Sequence, residues 1–227
     1  MKTVLDRPRP GALPMTPRRL SLSLTGGALA GPLFLVASFA QGASRDGFSF
    51  TDHPPSALGN GDFGWIQMAN FVIVGAMLAA AGVAVGHTLD GPGSVWGPRL
   101  LMVFGVALAA AGIFPMDPGF GFPPGTPPGT PSAISVHGVV HGLAFFVGFG
   151  ALVAACFVFS RRYNALHRPV WRWFSIVAGP ASLVLAAVPN AGNPEGRFLP
   201  LWLAVTVAFA WSSSVINDMR SQKGVGQ

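Results

Sequence analysis

Six apolar segments, each nearly free of charged residues, account for most of this chain. Each is close to the length of about 20 residues that a helix needs to cross the hydrocarbon core of a bilayer. They are residues 20–40, 65–87, 97–115, 133–159, 172–189 and 199–217. In lipid, a spanning segment must satisfy its own backbone hydrogen bonds, which favours helices. The sequence therefore predicts an all-α fold, a polytopic membrane protein with a bundle of six transmembrane helices.

The composition supports the same class of protein. Of the 227 residues, 51% are hydrophobic and 10% are charged, whereas soluble domains carry about 25% charged residues. The segments between the apolar runs are too short for a separate soluble domain. We therefore expect one membrane domain, residues 20–217, with a disordered cytoplasmic tail at 1–19 and a cytoplasmic tail at 218–227.

The first apolar segment has some features of a signal peptide, because an arginine pair, Arg18 and Arg19, precedes it. Its apolar part is longer than the 7–15 residues, roughly, of a signal core, so it is predicted to be a membrane helix. Lysine and arginine then set the orientation. With both termini inside, the inner side holds twelve of them and the outer side only Arg45 and Arg197. This bias predicts that both termini are cytoplasmic. The expected location is the plasma membrane.

The same bias accounts for the net charge of +6. A nucleic-acid partner is therefore not expected, and membrane lipids are the predicted partners. The sequence indicates neither a protein partner nor an oligomeric state.

Small and polar residues at helical spacing predict which faces of the helices pack together. Helices in lipid approach closely through small side chains, and polar side chains face the bundle because lipid does not solvate them. In the fourth segment this spacing joins His137, His141, Ala144, Gly148, Ala151 and Ala155. Both histidines are therefore predicted to point into the bundle.

A polar pocket is predicted where these histidines meet the outer loops. Asp117 ends the third segment, and the loop 42–64 leads into the second. The predicted lining residues are Asp117, His137, His141, His53, Gln67 and Asn70. Simpler structural roles stay open for each: a histidine hydrogen-bonded across the helix contact, a carboxylate that stabilises a turn, and a loop that forms an ordered lid.

Function is less determined by the sequence than fold. The leading hypothesis is a protein without enzymatic activity or cofactor that handles a lipid or small molecule in an outward-facing pocket. The alternative is a metal-dependent membrane hydrolase, with zinc held by His137, His141 and Asp117. Two histidines four residues apart can share a metal, although the glutamate of metalloprotease helices is missing here. A third possibility is an assembly or sensor subunit.

Three short motifs carry a family resemblance: the Pro-Pro-Ser-Ala-Leu-Gly loop before a Trp-started second segment, Gly-Ile-Phe-Pro-Met-Asp at the end of the third, and Ser-Val-His-Gly at the start of the fourth. With them the chain resembles, over residues 20–217, the bacterial six-span membrane proteins of domain-of-unknown-function family 998. The resemblance implies a six-helix bundle, puts Pro115, Asp117 and His137 at motif positions, and implies no reaction.

A looser similarity links the chain to membrane hydrolases of the alkaline-ceramidase and adiponectin-receptor type. Those proteins place Asp, Ser and His residues around zinc, and this chain has Asp117, Ser135, His137 and His141. It lacks the third histidine, in a later span, that those hydrolases have, and they have seven spans rather than six. The similarity therefore adds little to the hydrolase alternative.

Overall fold

The described part of the chain contains six helices that are long and apolar enough to cross a membrane. The computed structural model describes residues 15–187 and 197–224. The helices are α1 Pro17–Ser44, α2 Gly64–Gly86, α3 Trp96–Ile113, α4 Val136–Ala165, α5 Pro169–Ala187 and α6 Leu199–Gly224. The prediction of an all-α, six-span membrane bundle is therefore confirmed.

Several helices run past the predicted ends of the membrane segments. Helix α1 begins at Pro17, where proline suits the first helical position, and the Thr16 side chain accepts a hydrogen bond from the backbone N–H of Arg19 (3.3 Å). Helices α4 and α6 continue to Ala165 and Gly224, because a helix can extend into the interface once it has left the lipid. Residues 1–14 and 225–227 of the two predicted tails lie outside the described residues. The last residues of the fifth segment, after 187, lie outside them as well.

The helices form a ring in chain order. Each helix packs against the next one, and α6 returns to pack against α1. At one end of the ring lie the two long connections 45–63 and 114–135, which together we call the lid. At the opposite end, which we call the basic face, lie the connections 87–95 and 166–168. The cores of the helices meet through buried apolar side chains from every helix, of which Trp211 and Phe159 are among the largest.

Helices α2 and α3 approach each other backbone to backbone, as the small-residue spacing predicts. A Cβ atom added to Gly75 would lie 2.5 Å from both the Ala109 nitrogen and the Gly105 oxygen. Gly82 has a similar position, 2.7 Å from the Met102 nitrogen. Only glycine can occupy these places without moving the neighbouring backbone.

An ion pair closes the basic face. Asp218 on α6 accepts two hydrogen bonds from the Arg168 guanidinium (2.7 and 2.8 Å) and one from the Tyr163 hydroxyl (3.0 Å). These bonds raise the pKa of the Arg168 guanidinium. The pair ties the short α4–α5 connection to the end of α6.

Candidate functional site

His141 lies in the bundle at the top of α4, near the lid. Its side chain is half-buried, and its Nδ1 atom lies 3.0 Å from the carbonyl oxygens of both Ala111 and Phe114, at the end of α3. Carbonyl oxygens only accept hydrogen bonds, so Nδ1 carries the hydrogen in the neutral ring. Nε2 is then left with its lone pair, and none of the described residues offers it a hydrogen-bond donor.

His137 does not face the bundle, although the helical spacing predicts it. Its side chain is exposed, and its ring lies edge-on to Phe114 with 5.6 Å between ring centroids. Helix α3 ends at Ile113, so the first turn of α4 projects beyond the helix against which His141 packs. The prediction for this residue is therefore wrong, because a spacing along one helix does not tell where its neighbour ends.

Asp117 caps the start of α4. Its Oδ2 atom accepts a hydrogen bond from the backbone N–H of Ser135 (2.9 Å), and the Ser135 hydroxyl oxygen accepts one from the N–H of Gly138 (3.1 Å). The Asp117 carboxylate also lies against Gly138, where a side chain would collide with it. A negative charge at a helix N-terminus is favourable, so the geometry gives Asp117 the structural role of stabilising the turn.

The three side chains of the zinc alternative thus have separate surroundings. His141 uses Nδ1 on the α3 carbonyls, His137 is exposed, and Asp117 caps a helix. Within residues 15–187 and 197–224, no three His, Cys, Asp or Glu side chains are arranged to hold a metal ion. The zinc ligand set stays a prediction without a matching arrangement in this part of the chain.

A cavity of about 80 Å³ lies beside His141, among residues of α1, α2, α3, α4 and α6. Six phenylalanine rings form much of its wall: Phe34, Phe71, Phe104, Phe145, Phe149 and Phe209. Ala144 and Gly148 complete the α4 side, one and two turns below His141. The two residues with polar side chains are His141 and Ser56, and the Ser56 hydroxyl donates to the Met116 sulfur (3.1 Å).

This cavity is apolar, whereas the sequence predicts a polar pocket. Of the six predicted lining residues, all within the described chain, His141 alone lines it. The six rings come from five helices spread along the sequence. Their convergence depends on the order of the helices around the ring, which the spacing along a single segment does not reveal.

Hydrogen bonds of His53 connect the two loops of the lid. This buried ring accepts a hydrogen bond at Nδ1 from the N–H of Ser49 (2.9 Å), so Nε2 carries the hydrogen and donates to the Phe120 carbonyl (2.9 Å). The His53 carbonyl accepts a bond from the Trp202 indole (2.9 Å). One residue therefore connects both lid loops and α6.

The lid also reaches the cavity directly. Its short 3-10 helix, Pro55–Gly59, places Pro55 and Ser56 at the cavity wall. The Arg45 guanidinium donates to the carbonyls of Leu58 and Asn60 (2.6 and 2.5 Å) and so holds this helix down. Partial burial lowers the pKa of that guanidinium, and the Asp62 carboxylate counteracts the effect.

Gln67 and Asn70 belong to a separate buried cluster between α1 and α2. The Gln67 carbonyl oxygen accepts hydrogen bonds from Gln41 (2.8 Å) and Asn70 (3.2 Å), and its amide donates to the Ser38 hydroxyl (2.9 Å). The sequence interpretation missed Ser38 and Gln41. Polar residues within or directly after an apolar segment, three positions apart on one helix face, are the signal that points to them.

Comparison with known proteins adds a family but no activity. A search of curated proteins and a search of solved structures each found no match. The family model described as "Protein of unknown function (DUF998)" matches residues 28–217. This range contains all the residues of the cavity and the lid, and it covers most of the chain. The chain therefore belongs to the DUF998 family of membrane proteins.

Proposed function

We propose that this protein binds a membrane-soluble molecule, a lipid or a small apolar compound, in the cavity beneath the lid. The observation that carries the proposal is the wall of phenylalanine rings around one histidine. Ligand sites in proteins are mostly apolar concave surfaces with a few polar groups that orient the ligand. A cavity of this kind is costly to keep, since unfilled space forfeits packing, and a bound apolar molecule would recover those contacts.

Access from the bilayer supports a ligand that comes from the membrane. Phe145 on α4 and Val205 on α6 line the cavity and are only half-buried. Helix α5 lies between α4 and α6 in the ring, and none of its described residues lines the cavity. An alkyl chain from the bilayer would enter the cavity past the Phe145 and Val205 side chains.

The orientation that we propose puts the lid outside and both termini in the cytoplasm of the plasma membrane. Arg161, Arg162, Arg168 and Arg172 cluster on the basic face, which favours the cytoplasmic side. The ligand would then be taken from the outer half of the bilayer.

A matched pair of glycine substitutions on α4 tests the proposal. Gly148 lines the cavity, whereas Gly150 is exposed with open space around it. The protein is reconstituted in phosphatidylcholine vesicles with a hexadecanol that carries a photoreactive diazirine, and adducts are mapped by mass spectrometry. We expect adducts on cavity residues of the wild type and of Gly150→Leu, and their loss in Gly148→Leu.

The outcome that would refute the proposal is equally definite. If the wild type carries adducts only on lipid-facing residues, the cavity does not bind the alkyl chain of the probe. If Gly148→Leu, still folded by circular dichroism, is labelled in the cavity as strongly as Gly150→Leu, the cavity is not the site either.

A further inference from the structure

We infer that the ligand carries an uncharged hydroxyl group, which donates a hydrogen bond to Nε2 of His141. This inference rests on the proposed function and specifies the chemical class of the ligand: a neutral lipid with a free hydroxyl, such as a long-chain alcohol or a diacylglycerol. It follows from the tautomer of one ring, the charge of the cavity wall and the size of the cavity.

The tautomer makes Nε2 of His141, a residue of the cavity wall, a hydrogen-bond acceptor. The carbonyl oxygens of Ala111 and Phe114, each 3.0 Å from Nδ1, keep the hydrogen on that atom. A neutral imidazole with Nδ1–H offers only a lone pair at Nε2. A ligand group that bonds to Nε2 must therefore have a hydrogen to give, as a hydroxyl has and an ether or ester oxygen has not.

The cavity wall selects against charged head groups. Among the described residues that line it, none is Lys, Arg, Asp or Glu. A carboxylate or phosphate in this position would be buried without a counter-charge, which costs far more than burial of a hydroxyl that has a partner. An uncharged donor satisfies both His141 and the apolar wall.

The size of the cavity fits the polar end of a longer molecule. A cavity needs about 10–15 Å³ of such space to hold one water, so about 80 Å³ accommodates a hydroxyl and several carbons attached to it. The rest of the ligand's alkyl chain would extend past Phe145 and Val205 into the bilayer. Ser56 of the lid also lines the cavity.

The test compares the diazirine-bearing hexadecanol with its methyl ether, which has the same chain but no hydrogen to donate. In the wild-type protein in phosphatidylcholine vesicles, we expect about tenfold stronger labelling of the cavity by the alcohol, the ratio that a hydrogen bond of about 1.4 kcal/mol produces. His141→Asn keeps a nitrogen donor near the position of Nδ1 but has no Nε2, so the preference should disappear. His137→Leu, one turn away and exposed, should retain it.

The results distinguish this inference from the proposed function, which is the binding of a membrane-soluble molecule in the cavity. Equal labelling of the cavity by the alcohol and the ether in the wild type would overturn the role of His141 while leaving a chain-binding cavity in place. Retention of the tenfold preference in His141→Asn would overturn it as well. Absence of any cavity labelling, by either probe, would instead refute the proposed function.

Discussion

Gly75 shows how much of this fold depends on single atoms. Its missing side chain lets the backbone of α2 lie directly on the backbone of α3, at Gly105 and Ala109. In lipid there is no hydrophobic force between apolar helices, so close packing of this kind supplies much of the attraction. One added methyl group would push two helix backbones apart.

We therefore expect Gly75→Ala to destabilise the protein by about 1–3 kcal/mol, the usual cost of overpacking a tight contact. The measurement is the thermal unfolding midpoint in detergent, followed by circular dichroism. Gly150→Ala is the matched control, because a Cβ there meets open space and alanine favours a helix. An unchanged midpoint for Gly75→Ala would contradict the backbone contact between α2 and α3.

His137 and His141 show at the same scale what the sequence could and could not predict. The helical spacing predicts correctly that His141 faces the bundle, since it shares a face with Ala144 and Gly148. It fails for His137 because the deciding fact, the end of α3 at Ile113, lies on another helix. The two carbonyls that orient His141 also come from that end, so its tautomer could not be predicted either.

At the scale of elements, α4 begins at a point fixed by two earlier residues. Asp117 and Ser135 together accept hydrogen bonds from N–H groups in the first turn and just before it. These groups would otherwise have no partner in the helix. The start of α4 in turn sets the height of His141 beside the cavity.

Asp117→Ala should therefore loosen the first turn of α4 at a cost of about 1 kcal/mol, typical of a lost cap with its favourable helix-dipole interaction. Hydrogen exchange of residues 135–139 should become faster, with a small fall in the thermal unfolding midpoint. Asp46→Ala, at an exposed position in the lid, should change neither. Exchange that is unaffected by Asp117→Ala would show that the carboxylate does not cap the helix.

At the scale of the whole molecule, the proposed orientation puts the lid and the basic face on opposite sides of the membrane. Cys156, the one cysteine of the chain, is fully buried, so the native protein gives little background with thiol reagents. In spheroplasts, a membrane-impermeant maleimide should label Ser132→Cys in the lid without permeabilisation. It should label Asn164→Cys at the basic face only after permeabilisation, and the reverse pattern would contradict the orientation.

The fold was predictable from the sequence because the lengths of apolar segments, together with the cost of unsatisfied backbone groups in lipid, leave few alternatives. The cavity was not predictable. Its wall combines Phe34 of α1, Phe104 of α3 and Phe209 of α6, and no pattern within one segment shows that these rings meet. The lid was predictable only as a structural alternative for the loop 42–64, since its bonds reach residues as distant as Trp202.

The bonds around His53 also impose an order on how the molecule is made. The loop that contains His53 is synthesised early, but its carbonyl is bonded to the indole of Trp202, and the carbonyl of Thr51 accepts a bond from the N–H of Phe198 (2.6 Å). Trp202 lies in the first turn of the last helix, and Phe198 directly precedes that helix. The ribosome must therefore have delivered α6 to the membrane before these bonds can form. Since Phe209 of α6 also forms part of the cavity wall, the lid and the cavity are completed together, by the last helix.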